Sequence, residues 1–446
     1  MLLHTLQLKR YFWVTRRSFN LIGIDITALD YHDIVKYPMR CFLFTAFAAV
    51  LAWAMTIHVY EYRDDFGEFA DTSGMLLQTI IALWKTLVFL FKRKEICDLM
   101  QNVWQCNINV NPQEFHIILK FNSQNFTISA LYMVLVSSTV FGSFLVPLIY
   151  MFEFYRKNGE KIWLPPQKGG YFWDYSNAIG YSVLYICHLL GIFFVAAFSI
   201  GVDTLCPWLV SNIVVQYHVM YYRLRDIAEL SYEISTEKLN AKIIECVKCH
   251  RQVLNLSNQL ENFFAEIIFI KFVISGLLIC SLAFRLVRAE GQFYILLYQL
   301  VFLTTVSTQL LMYCYSGQRL KNESSQVASE IYSIFEWSHL SRNSQKLLLF
   351  AMMRSQRECH LTGAFFMVDL SLFVWVRERE RDVCMYVKQK KKKKKRTNIF
   401  NFWFCLKKKS YHFVLLLHVF LCYLLKVLRT GGSLIAMLKT LDEKQV

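Results

Sequence analysis

The sequence predicts an all-α polytopic membrane protein with seven transmembrane helices, its N-terminus cytoplasmic and its C-terminus extracellular. Composition and one pattern carry that reading. Of 446 residues, 55% are apolar and only 18% charged, whereas soluble domains carry about 25% charged residues. Six prolines and 16 glycines leave little material for long loops. The apolar residues fall in long continuous runs, unlike the short alternating segments of a transmembrane barrel. Thirteen cysteines are too dilute for a disulfide scaffold.

A helix needs about 20 mostly apolar residues to cross the hydrocarbon core. Six segments meet this: 41–60, 73–91, 127–151, 179–202, 264–284 and 292–315. A seventh begins at Ala364 but stops after 13 residues at Arg377, and further apolar pieces stand at 411–425 and 433–438. No secretory signal peptide is expected. Lys9, Arg10, Arg16 and Arg17 are followed by no short apolar core with a cleavage site, so the first span is predicted to direct its own insertion.

Lysine and arginine in the loops set orientation. Loops 1–40, 92–125, 207–262 and 317–359 hold 22 basic residues, against 8 in 60–71, 154–178, 284–291 and 440–446. The first of the latter group is acidic, with Glu61, Asp64, Asp65, Glu68 and Asp71 against Arg63. The former group is therefore expected inside. That topology is inverted relative to a metabotropic G-protein-coupled receptor, and neither Asp-Arg-Tyr nor Asn-Pro-x-x-Tyr stands where that class needs it. The sequons at Asn125, Asn255 and Asn322 all fall on the inner side and are expected to be bare.

The formal net charge of +16 is concentrated in one place: residues 377–427 hold 15 basic and 3 acidic residues, hence +12. Segment 376–426 reads better as nucleotides than as protein. Val376 followed by Arg-Glu-Arg-Glu-Arg-Asp can be encoded by GTG and a GA repeat, a common intron start. Lys390–Lys395 is the translation of a poly-A tract, and Lys426 can end in an acceptor AG. Removing the segment keeps the frame and joins Trp375 to Val427, fusing two apolar fragments into one span. The segment is therefore expected to be a retained intron. The competing reading is a polybasic membrane-surface or calmodulin-binding loop, which adjacent low-complexity repeats disfavour.

With that insert set aside, a series of motifs follows the sixth span. Cys314-Tyr315-Ser316-Gly317-Gln318 closes it; Ile331-Tyr332 and Trp337 come next, then Leu347-Leu348-Leu349 and Met352-Met353-Arg354-Ser355-Gln356-Arg357. Leu361-Thr362-Gly363, Phe365-Phe366 and Leu370 then open the last helix. In order and spacing this third of the chain resembles the insect odorant receptor family; the rest matches it only in architecture. The resemblance implies an odour-binding subunit of a heterotetrameric, ligand-gated, non-selective cation channel, formed with a common co-receptor subunit in the plasma membrane of an olfactory neuron dendrite. It implies a pocket for small volatile apolar ligands among spans two, three, four and six, and a pore lined by the last helix. The domain reading is then a cytoplasmic N-terminal segment (1–40), six spans with their helical extensions (41–316), anchor helices and the start of the last span (317–375), the insert (376–426) and the pore-lining end (427–446). A gustatory receptor channel, assembling without the co-receptor, is the related alternative. A secondary transporter is disfavoured, because the first six spans show neither inverted repeats nor broken helices.

On this topology the outer half of the bundle selects Thr79 and Leu83 on span two, and Val136, Thr139, Val140 and Ser143 on span three. It adds Tyr185, His188 and Leu189 on span four, and Tyr294 and Tyr298 on span six. Apolar ligands need an apolar, shape-fitting cavity with few polar groups. Tyr294 and Tyr298 share a helical face, a spacing that packing produces equally well. His188 either bonds a ligand oxygen or joins a neighbouring helix. The pore and gate residues expected are Leu434, Met437 and Leu441, which as an apolar ring can close by dewetting.

Lys85, Glu266 and Lys271 are ionisable groups inside spans, where such groups need partners; the spacing of Glu266 and Lys271 does not pair them. Segment 207–262 reads as helical extensions of spans four and five, with apolar stripes at Tyr217, Tyr221, Leu224, Ile227 and Leu230, and at Ile243, Ile244, Val247, Val253 and Leu254. Cys246-Val247-Lys248-Cys249-His250 matches the C-x-x-C-H haem signature, but it lies in a predicted cytoplasmic helix with no second ligand pair, so no metal or cofactor is expected. No nucleotide loop, nucleophile elbow or zinc motif occurs. Neither an enzyme nor a nucleic-acid partner is predicted; the partners expected are the co-receptor subunit, the ligand and the lipid bilayer.

Overall fold

The computed structural model describes residues 2–28, 30–171, 174–231, 233–288 and 293–374. It is almost wholly helical. Two short helices, α1 (Leu2–Tyr11) and α2 (Trp13–Leu21), precede α3 (Pro38–Glu61), α4 (Phe66–Phe91) and α5 (Arg93–Ile108). Long helices follow: α6 (Pro112–Asn158), α7 (Ala178–Leu230), α8 (Thr236–Arg288) and α9 (Phe293–Ile334), then a 3₁₀ turn at Trp337–His339 and α10 (Arg342–Ser355). Among the described residues, six helices are long and apolar enough to cross a membrane: α3, α4, α6, α7, α8 and α9. Each overlaps one of the six expected spans.

Local chemistry sets where the helices start. Asp65 caps α4, its carboxylate accepting from the Gly67 amide at 2.8 Å and the Glu68 amide at 3.4 Å. Asn111 and Glu114 form a reciprocal capping box ahead of α6, with Pro112 in the first turn. Asn177 caps α7 by accepting from the Gly180 amide at 2.6 Å.

Length then becomes a structural argument. α7 and α8 each run 53 residues. At about 1.5 Å per residue each is roughly 80 Å long, against a hydrocarbon core of about 30 Å. Both must project far beyond the membrane, and the second half of α7 and the first half of α8 are the extensions expected for 207–262. There Tyr217, Leu224, Ile227, Ile243, Cys246 and Val253 join one continuous core.

The N-terminal segment is not a loose tail. α2 packs on α7 through Phe19, whose ring stacks on Phe89 at 5.2 Å and meets Phe198 edge-on at 5.9 Å. A buried Thr15–Thr204 hydroxyl pair at 2.8 Å pins the contact.

One expectation is corrected. Leu361-Thr362-Gly363 and Phe365-Phe366 do not begin a helix. They form an antiparallel hairpin, β1 (Thr362–Gly363) with β2 (Phe366–Met367), in register Thr362↔Met367 and Gly363↔Phe366. Ala364 turns it at φ 61°, and helix resumes only at Leu370. Tertiary packing overrides the apolar run. The Val368 amide donates to the Leu361 carbonyl at 2.8 Å, and the Val368 carbonyl sits on Gly317 so closely that a Cβ there would lie 1.9 Å away. The glycine that closes the sixth span is therefore a seat for this hairpin. Thr362 Oγ1 donates to Glu261 Oε1 at 2.8 Å, and the Cys359 amide donates to Ser324 Oγ at 2.9 Å, fastening the hairpin to α8 and α9.

Candidate ligand pocket and the polar hub beneath it

Helix α6 supplies one wall of the interior and packs against both α7 and α9. Val136 packs with Tyr132, Ile200 and Met312. Val140 bridges that cluster to a second one containing Leu51, Met55, Leu76 and Ile192. The Thr139 hydroxyl meets that of Thr305 on α9 at 3.0 Å, joining the two helices. Ser143 is buried and donates to the Val140 carbonyl at 2.7 Å. Gly142 makes room for the Tyr298 ring, since a Cβ there would lie 2.7 Å from it. From α4, Thr79 is buried and donates back to the Met75 carbonyl at 2.9 Å, while Leu83 packs on the main core.

The α7 residues divide. Tyr185 reaches across to donate to the Phe144 carbonyl of α6 at 2.9 Å. His188 is fully buried, with Nδ1 2.9 Å from the Leu184 carbonyl and Nε2 2.8 Å from the Tyr171 hydroxyl. Both ring nitrogens thus have protein partners, and burial raises the Tyr171 phenol well above its ordinary range. Leu189 is 50% exposed on the bundle surface. Tyr294 bonds Glu153 at 3.2 Å near the ends of α9 and α6, away from the Thr139–Thr305 contact. The structure therefore brings Val136, Thr139, Val140, Ser143 and Tyr298 around the α6–α9 seam, and sets Leu189 and Tyr294 at its periphery.

A separate apolar cleft opens between α3 and α7, lined by Leu51, Ala54, Leu184, Cys187 and His188 and closed by Gly170 and Tyr171. The connecting segment 159–177 is held there by the Gly170 amide, which donates to the Ala54 carbonyl at 2.9 Å. It is also held by Lys168, 2.6 Å from Glu68 and 3.6 Å from Asp71. Arg285 of α8 meets Asp71 at 3.1 Å. The acidic first loop thus serves as a cap and as ion-pair partners.

Sequence reasoning missed Asp203. It lies one residue beyond the expected end of span four, yet it is fully buried where four helices, α4, α6, α7 and α9, meet. Lys85 of α4 and Gln309 of α9 donate to it. Tyr313 donates at 2.8 Å and Tyr132 at 3.1 Å. The signal was present: Lys85 inside a span demanded a counter-ion, and the apolar pattern of α7 continues through Leu205, Trp208 and Leu209. Glu266 instead meets Lys92 at 3.0 Å and is 51% exposed.

Residues 65–377 match the family described as 7tm Odorant receptor. The chain belongs to the insect odorant receptor family. It is 25% identical over 368 residues to Odorant receptor 45a of Drosophila melanogaster, covering 82% of this chain and 95% of that one. Odorant receptor 9a of Drosophila melanogaster is 23% identical over 72% of this chain and 81% of its own length. The solved structure of the insect olfactory receptor OR5 from Machilis hrabei in complex with eugenol superposes with a TM-score of 0.70, covering 86% of this chain and 97% of that one at 13% identity. A second solved structure of the same receptor gives 0.69, covering 85% of this chain and 96% of that one. The receptor is thus a seven-transmembrane protein by fold, not an enzyme. The expected pore residues Leu434, Met437 and Leu441 lie outside the described residues.

The C-x-x-C-H sequence of this odorant receptor sits on the α8 extension. Cys246 is buried, Cys249 half-buried, and Cys106 of α5 lies within electrostatic reach of Cys249. Burial pushes the Cys106 thiol up to about 11. Among the described residues no group of three or more side chains is arranged to hold a metal ion.

Proposed function

We propose that this receptor is the odour-binding subunit of a ligand-gated, non-selective cation channel, formed with a common co-receptor and residing in the plasma membrane of an olfactory neuron dendrite. The observation that carries the proposal is the family match over 65–377, together with a fold shared along nearly the whole length of an odour-binding relative. The ligand is a small, mostly apolar volatile bound among α4, α6, α7 and α9, near Val136, Thr139, Val140, Ser143 and Tyr298. The buried hydroxyls of Thr139 and Ser143 are the few polar groups such a pocket needs for orientation. The N-terminus lies in the cytoplasm, so the projecting halves of α7 and α8 form the intracellular anchor, and the last helix lines the pore with Leu434, Met437 and Leu441.

Segment 376–426 is a retained intron in this reading. The family match ending at residue 377 supports it. Whole-cell currents from cells expressing the form lacking 376–426 test both points. A current requiring both an odour and the co-receptor is the expected result. Current without the co-receptor would favour a gustatory-type channel, and silence across a broad panel despite surface expression of both chains would count against the odour-gated reading.

A further inference from the structure

Four residues with full formal charges are completely buried among the described residues: Lys85, Glu114, Asp203 and Lys271. Glu114 is matched by Arg223 at 2.7 Å, and Lys85 by Asp203. Lys271 is left over. It is 0% exposed on α8, and its Nζ has no hydrogen-bond partner among the described residues. Asp203 lies within Coulombic reach of it, but both carboxylate oxygens are already taken by Lys85, Gln309, Tyr132 and Tyr313. One turn further along α8 the Ser275 hydroxyl, also 0% exposed, is likewise unpartnered among the described residues. Residues four apart share a helix face.

The hub therefore sets two lysines against one carboxylate, and one of them, Lys271, leaves its Nζ, with the neighbouring Ser275 Oγ, without an acceptor among the described residues. An unmatched charge inside a membrane bundle is strongly unfavourable. Water would satisfy the hydrogen bonds but leave the charge. We propose that Lys271 and Ser275 hold a small monovalent anion of chloride's size, which neutralises the hub. The pairing of an ammonium with a hydroxyl donor is the chemistry of a charge-assisted anion contact. Because Asp203 gathers α4, α6, α7 and α9, and Lys271 adds α8, the anion is a structural element of the bundle rather than part of the odour pocket.

The test is thermal unfolding of the purified full chain in detergent, at fixed pH and ionic strength, with chloride or bromide replacing gluconate. The midpoint of the wild type should rise with halide and saturate. K271M should lose the dependence while still unfolding cooperatively. S275A should keep it with a half-effect concentration raised roughly tenfold, the worth of one hydrogen bond to a charged group. D203N should bind halide more tightly, because the hub then carries more positive charge. A wild type indifferent to halide would overturn the proposal, since the hub would then be hydrated or hold a neutral amine. A K271M protein as halide-sensitive as the wild type would overturn it equally, as a general salt effect.

Discussion

Asp203 is where single-residue chemistry weighs most. Truncating one member of a buried ion pair leaves its partner unpaired and typically costs about 3–5 kcal/mol. In D203N Lys85 loses its ion-pair partner and Lys271 loses the carboxylate within its Coulombic reach. In K85M the carboxylate keeps Lys271 nearby along with its hydroxyl and amide donors. D203N should therefore lower the thermal midpoint and the surface-expressed fraction more than K85M does; equal losses would mean that Lys271 contributes nothing to the balance. In the proposed pocket, S143L fills space beside Val140 and should raise the odour concentration for half-maximal current by roughly tenfold, about 1.4 kcal/mol, at unchanged surface expression. Cys106 makes a pH-dependent prediction. With its thiol raised to about 11 by burial, the reactive thiolate is scarce at neutral pH and grows tenfold per pH unit below that value. Maleimide labelling at Cys106, followed by peptide mapping, should show this slope between pH 7 and 9 in the folded protein, and a flat profile would contradict the burial.

At the scale of elements, the informative contacts are those that stop a helix from continuing. The apolar run from Ala364 reads as the start of a span, yet β1 and β2 precede it. The Val368 carbonyl needs the space that Gly317 leaves, and the hairpin's polar groups are satisfied by α8 and α9. G317A should displace the hairpin at a cost of about 1–3 kcal/mol, seen as lower thermal stability and weaker subunit assembly in detergent. The same packing explains why α9 carries glycine at 317, where a larger side chain would give more apolar burial. The projecting halves of α7 and α8 were legible from their stripes at Tyr217, Leu224, Ile243 and Val253. Those stripes keep helical spacing past the point where hydropathy alone would end a span.

Across the whole molecule, orientation rests on loop charge, and an epitope at the N-terminus should be accessible only after permeabilisation of cells expressing the receptor. What the sequence by itself determined was the class of the protein, the six apolar helices, the helical extensions and, through the motifs after span six, the family. These are properties of runs and periods within one segment, which hydrophobicity and helix geometry make local. Tertiary structure alone decided the rest. It made Asp203 the partner of Lys85, seated the hairpin on Gly317, occupied both nitrogens of His188 and left Leu189 on the surface. Each of these depends on which faces of distant helices meet. A charge or a small residue shows its purpose only when the residue opposite it, as far away in the chain as Asp203 is from Lys85 or Val368 from Gly317, is brought within a few ångströms.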